Sequence, residues 1–206
     1  IRDSVASRGL GDVYKRQQHF AARKADGTLK LKRDLLFAGW SGEELGLYGS
    51  THYAREAGKE RSLYPRVAAY LNLDMVGRLK EEGLNIQGTG SSEDWKGVLD
   101  RLQEQEQIKI LRSANPYLPT DTAPLYDAGV PVLSIFTGLH DDYHTPRDTI
   151  ETLNFPGLLK VTGYVRGMTM ELARLPEAPG YVKVERNRGR NAPPVRLGIQ
   201  FEAIEE

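Results

Sequence analysis

The chain has 206 residues, 39% of them hydrophobic and 27% charged, with 28 Lys and Arg against 28 Asp and Glu and no cysteine. That balance leaves no basic excess for nucleic acid and no acidic tail, and apolar stretches such as 130–136 are far too short to span a bilayer. Without cysteine there is no disulfide and no thiolate metal site, so any metal must be held by His, Asp and Glu.

Residues 1–17 carry no periodicity, and 7–17 read SRGLGDVYKRQ. That string resembles the in-frame translation of a sequencing adapter, so the segment is expected to be non-native or disordered and is set apart from the fold. Gln18–Ala25 reads as the end of a helix, and Asp26-Gly27 as a turn. Asp34–Trp40 (DLLFAGW) is a near-continuous apolar run, which predicts a central strand covered on both faces. Gly46–Ala57 has helical character, with Gly58 where a C-terminal cap belongs. Val67–Leu73 is a second buried strand and Leu84–Gln87 a shorter one. Trp95, Val98, Leu99 and Leu102 fall at i, i+3, i+4 and i+7, an amphipathic helix from about Ser92 onward. Ile108–Leu111 is short and β-like, Thr120–Ala128 a short helix ending at Gly129, and Val130–Phe136 a third buried strand.

Leu158, Val161, Val165, Met168, Leu172 and Leu175 trace one stripe of a long helix with Pro156 in its first turn. Strands alternating with helices predict α/β layers. Glu185–Pro194 (ERNRGRNAPP) breaks the pattern and reads as part of a linker over 179–194. Leu197, Ile199, Phe201 and Ala203 then alternate with Gly198, Gln200 and Glu202 as one strand, the expected start of a β-rich domain over 195–206.

Three segments put a chemically capable side chain just past a predicted strand: GWSGEELG (39–46), YLNLDMVGR (70–78) and DDYHTPRDT (141–149). Open α/β sheets bind ligands outside the carboxyl ends of their strands. Outside a helix, Glu43 and Glu44 point in different directions. One can then bind a metal while its neighbour takes a proton from water, which is the division of labour that metal-assisted hydrolysis needs. Alone, the pair reads as two solvated loop glutamates. Asp74 ends a buried run and needs a partner; capping a loop or pairing with Arg78 is the structural alternative.

His144 is the imidazole of the set. His140 lies four residues earlier, but Gly138 and Pro146 argue for a loop and deprive that spacing of its helical meaning. Asp148-Thr-Ile-Glu151 resembles a capping box, and Thr120 or Asp121 an N-cap. No nucleophile elbow, P-loop or dinucleotide fingerprint is present.

On these residues the stretch from about Gln18 to Leu175 resembles the zinc aminopeptidases of metallopeptidase family twenty-eight, the aminopeptidase Y and bacterial leucyl aminopeptidase type. FAGWSGEELGLYGS, YLNLDMVGR and GVPVLSIFTGLHDDYHTPRDT occur in the family's order and spacing. The resemblance implies an α/β three-layer sandwich whose mixed, mostly parallel sheet is flanked by helices, here incomplete and confined to 18–178. It implies Glu43 as general base, Glu44 as a zinc ligand, Asp74 as ligand of the other zinc, and His144 as the ligand sharing an ion with Glu44. It implies two zinc ions, peptide or protein N-termini as substrate, a secreted or periplasmic address, and in some members a PDZ-like domain after the peptidase domain.

The family's upstream histidine and metal-bridging aspartate have no match in 1–33. The chain as written is therefore expected to bind zinc poorly and to be inactive, and an intact parent to be active. A glutaminyl cyclase-like enzyme with one zinc and a non-catalytic peptidase-like binding module are the alternatives. Retention of Glu43, Glu44, Asp74 and His144 counts against the second.

Overall fold

A computed structural model describes residues 18, 20–23 and 30–186 of the chain. Its elements are α1 (Tyr48–Gly58), β1 (Tyr70–Leu73), β2 (Leu84–Gln87), a 3-10 turn (Thr89–Ser91), α2 (Trp95–Glu106), β3 (Ile110–Ser113), α3 (Thr122–Asp127), β4 (Val132–Phe136), a second 3-10 turn (Ile150–Thr152) and α4 (Phe155–Arg174). The strands lie in the order β1-β4-β2-β3. β1 runs parallel to β4 and β2 to β3, while β2 and β4 are antiparallel. The result is the expected mixed sheet flanked by helices.

β4 (VLSIF) reads as an apolar run interrupted only by the buried Ser134, because both its faces are covered. Successive side chains alternate across a strand. Leu133 and Ile135 therefore join Leu84 and Ile86 under α2 and α4, while Val132 turns to the other face with Ala54, Leu125 and Tyr126 of α1 and α3. The stripe Trp95, Val98, Leu99 and Leu102 packs against Val161, Tyr164, Val165, Met168 and Leu172 as its periodicity predicts. Close approach of α2 to α4 needs a glycine: a Cβ at Gly167 would meet Leu102 at 2.9 Å.

Among the polar groups of this core, Ser91 is fully satisfied while the buried Tyr164 hydroxyl has no partner among the described residues. The Ser91 hydroxyl accepts from the Trp95 indole and from Val132 N, and donates to Val132 O, each at 2.8–2.9 Å. One hydroxyl thereby uses its full donor and acceptor capacity and pins the first 3-10 turn to β4. α4 begins as the sequence predicts, with Pro156 in its first turn and the Asn154 side chain accepting from Gly157 N at 2.9 Å, a cap worth about 1 kcal/mol.

Several expectations are corrected. Residues 34–40 form no strand, and Leu36 is 71% exposed. An apolar run records capacity for burial, whereas a strand also needs a neighbour's ladder for its N–H and C=O groups. Side chains anchor this segment instead. Arg33 donates to the carbonyls of Leu172 and Leu175 at the end of α4, Phe37 meets Phe20, and the Trp40 indole donates to Tyr70 Oη at 2.9 Å.

Gly58 is the last helical residue rather than a left-handed cap, and Lys59 follows in helical conformation. The predicted linker is described only as far as 186, and its first part is tied down. Val182 N donates to Ser91 O, Val184 N to Tyr126 Oη, and Tyr117 Oη to Val184 O. The packed chain thus runs on past 178, because Tyr117, Tyr126 and Tyr181 form an aromatic cluster under it. The strand expected at 195–204, the adapter-like segment 1–17 and His19 lie outside the described residues.

Candidate metal and catalytic site

Parallel pairing places the ends of β1 and β4 together, with Leu73 opposite Ile135. Asp74 continues that ladder by donating its N–H to Ile135 O at 3.1 Å. The chain beyond β4 then runs through Thr137 to the turn that carries His144. Glu43 and Glu44 arrive from a third direction. Glu43 O accepts from both Gly46 N and Leu47 N, and Ser41 O accepts from Gly49 N. The turn is thus folded against the start of α1, and a Cβ at Gly49 would strike Ser41 N at 2.7 Å. The glycines of WSGEELGLYG serve this close approach.

The turn sends its two carboxylates different ways, as expected. Glu44 is exposed and Glu43 half-buried. Glu44 Oε1 lies 2.6 Å from His144 Nε2, across 100 residues of sequence, with side-chain exposures of 65% and 53%. The ring N–H donates to the carboxylate in this pair. The Tyr143 ring stacks on His144 with centroids 3.8 Å apart. Burial first, then the charges of Glu44, Asp121 and Asp74, hold the Glu43 carboxyl above the ordinary glutamate range, with His144 opposing. For Asp74, half-buried, burial again leads, followed by Glu44 and Asp121, while a backbone hydrogen bond and His144 pull the other way. Glu43, Glu44, Asp74 and His144 therefore share one electrostatic neighbourhood.

Asp121 is the member that sequence reasoning missed. It occupies the N-cap position of α3 but makes no capping bond with its side chain. Its buried carboxylate accepts from Ser50 Oγ on α1 at 2.5 Å. The signal in the sequence was two-part, a Ser on one helix and an Asp on another, and pairing them needs the fold. Asn72, beside the site, is a satisfied core amide: its Oδ1 accepts from Tyr70 Oη at 2.8 Å. Arg78 pairs with Asp148 and Asp142, not with Asp74, so Asp148 is engaged by Arg78 and Thr149 takes the N-cap position of the following turn. His52 is exposed on α1.

These donors suit a divalent cation in kind. Neighbouring carboxylates raise the cost of ionising Glu43 and Asp74, and a cation relieves that cost. Glu44 and His144 are close enough to share one ion. Asp74 does not join them: among the described residues no group of three or more His, Cys, Asp and Glu side chains converges as a metal cage.

Asp121 also yields a stability test. Burial raises its folded pKa above the ordinary 3.8, with the Ser50 hydrogen bond opposing. A raised value means that folding favours the protonated form. The cost is absent below the ordinary aspartate range and grows as pH rises through the folded value. Asp121→Asn keeps an acceptor for Ser50 and removes the charge. It should raise the melting temperature of the metal-free chain at pH 7. The gain should vanish near pH 3. A lower melting temperature at pH 7 would contradict the account.

Comparison with known proteins bears on what this geometry belongs to. The pattern of Peptidase family M28 matches residues 18–169. The chain belongs to that family. An aminopeptidase of Pseudomonas aeruginosa (strain UCBPP-PA14) is 31% identical over half of this chain and 20% of its own length. Leucine aminopeptidase 2 of Trichophyton rubrum is 26% identical over 73% of this chain and 36% of its own. The M28 chain thus spans well under half the length of these relatives. Among solved structures, the LapA aminopeptidase of Legionella pneumophila superposes with a TM-score of 0.62 at 19% identity, over 72% of this chain and 41% of that one. BSAP, a zinc aminopeptidase from Bacillus subtilis, superposes at 0.54–0.55 with 22–23% identity. These structures establish the fold as the aminopeptidase α/β architecture, present here in part.

Proposed function

We propose that this M28 chain carries part of the active centre of a zinc-dependent aminopeptidase acting on peptide or protein N-termini. The observation that carries the reading is the 2.6 Å contact between Glu44 and His144, made by residues 100 apart and set beside Glu43 and Asp74. Glu44 and His144 would hold one ion and Asp74 a second. When bound, such ions polarise a carbonyl and acidify water to a pKa of about 7. Glu43, which binds neither ion, accepts the proton from the attacking water and returns it to the leaving amine. The surrounding carboxylates favour a protonated α-amino group on the substrate, which suits hydrolysis at a free N-terminus.

The test uses the full-length protein and a pair of peptides that differ only in N-terminal acetylation. Free peptide should be cleaved one residue at a time and acetylated peptide left intact, with activity lost to a chelator and restored by zinc. Equal cleavage of both, or indifference to the chelator, would remove the assignment. The 206-residue chain by itself should bind well under two zinc ions in metal analysis, since 1–33 offers no match for the family's upstream ligands.

A further inference from the structure

Two loops present Asp74 and His144, and each contains a backbone conformation that side-chain-bearing residues rarely adopt. Met75, directly after Asp74, has φ 48°, and His144 itself has φ 55°. Such residues persist only where their surroundings over-determine them. Part of that restraint is backbone: Thr137 donates to Met75 O through both its N–H and its hydroxyl, and Arg78 N donates to Thr137 Oγ1 at 3.2 Å.

The rest converges on the Arg78 side chain, which is only 16% exposed. Its Nη2 donates to Asp148 Oδ1 at 2.6 Å, to Thr152 Oγ1, and to Asp142 Oδ2 at 3.5 Å. Asp142 in turn anchors the turn around His144. Its carbonyl accepts from Thr145 N and Oγ1, and its carboxylate from Arg147 Nε. One nitrogen, rooted five residues from the end of β1, therefore grips both sides of the segment that carries His144.

We infer that Arg78 is a positioning residue whose guanidinium sets the separation between Asp74 and His144 by holding the Asp142–Thr152 segment against the loop that follows β1. The functional part rests on the peptidase assignment above. Stability alone is a poor reason for this arginine. A buried guanidinium offsets its desolvation only with a full set of acceptors, and Arg78 Nε is buried with none among the described residues. A residue that fixes a distance tolerates such a loss; one that merely stabilises would be improved by an apolar side chain.

All three side-chain bonds leave from one nitrogen, so the clamp works as a point contact. A lysine ammonium can serve it in part, although it lacks the guanidinium fork, whereas methionine cannot. The experiment compares Arg78→Met, Arg78→Lys and, as a control, Arg112→Met, which removes the distant contacts of Arg112 with Asp100 and Gln103. Amide hydrogen exchange and the His144 ring signals in NMR are read on the metal-free 206-residue chain.

Arg78→Met should speed exchange across 139–149 about tenfold while leaving β1 and β4 unchanged, the mark of local rather than global opening. It should also shift the His144 ring signals as the stack on Tyr143 and the bond to Glu44 loosen. Arg78→Lys should recover part of both, and Arg112→Met should do neither. Unchanged exchange and ring signals in Arg78→Met, equal acceleration throughout the sheet, or no recovery with lysine would each overturn the inference. Neither readout involves hydrolysis. An inert full-length protein in which Arg78→Met still frees the loop would discard the peptidase assignment and leave the clamp standing.

Discussion

Glu43→Gln in the full-length protein is expected to keep its zinc and to lose at least about 10²-fold in turnover, the usual scale for a general base. Glutamine preserves the length and the acceptor oxygen of glutamate but takes up no proton at neutral pH. Zinc should stay because Glu43 stands half-buried behind the turn while its neighbour Glu44 is the one that meets His144. The two effects therefore separate: metal content reports on Glu44 and turnover on Glu43. Burial and three neighbouring carboxylates raise the Glu43 carboxyl above the ordinary range, and a base with a value nearer neutral accepts a proton more readily. KM should change little, since the substitution alters no charge on Glu44, Asp74 or His144, the residues proposed to bind metal. Metal analysis beside steady-state kinetics checks both halves. Unchanged turnover would remove Glu43 from the chemistry, and loss of zinc would reassign it as a ligand.

How much of this was legible in the sequence depends on the range of the interaction concerned. β2 falls on Leu84–Gln87 as predicted, and the long C-terminal helix runs from Phe155 to Arg174 around the predicted stripe. Both follow from side chains at strand or helix spacing facing one buried surface. The meeting of Asp74 and His144 at one rim was legible for a different reason, since each follows a strand and strand ends collect at one edge of an α/β sheet. The Glu43–Glu44 turn reaches that rim with no strand before it, and its pairing with His144 was implied by the family resemblance alone. Residues 34–40 show the limit of the first kind of inference. Their apolar content is real, but ladder formation is a property of two segments, and no composition of one supplies it.

Asp121 and Arg78 show a second limit. Each lay beside a local explanation that was chemically sound: an N-cap for Asp121, an ion pair with Asp74 for Arg78. The structure spends both on long-range partners, Ser50 in one case and Asp148 with Thr152 in the other. Local rules rank what a side chain can do with its sequence neighbours. They are silent when a neighbour in space offers a shorter, better-buried contact, and around a site assembled from three loops that is the common situation.

His144→Asn in the full-length protein should weaken zinc binding at one of two positions by at least about 100-fold, since even the groups that only support a ligand are worth 10–100-fold. Asparagine is the informative replacement because the position has φ 55°, a left-handed conformation in which asparagine is enriched. The backbone then keeps its shape and only the imidazole is lost. In the metal-free chain His144 and Glu44 satisfy each other, so an ion must displace that bond and take both donors. The variant leaves Glu44 alone, and its exposed carboxylate becomes a weak monodentate ligand in water. Asp74, which stands apart from the pair, should hold its own ion as before. Competition with a chromophoric chelator should accordingly show one weakened and one unaltered zinc, with folding changed by no more than about 0.5 kcal/mol, as for other exposed side chains. If both ions bind as tightly as in the unmodified protein, His144 is not a ligand. If both weaken together, Asp74 and His144 serve a single metal centre rather than two.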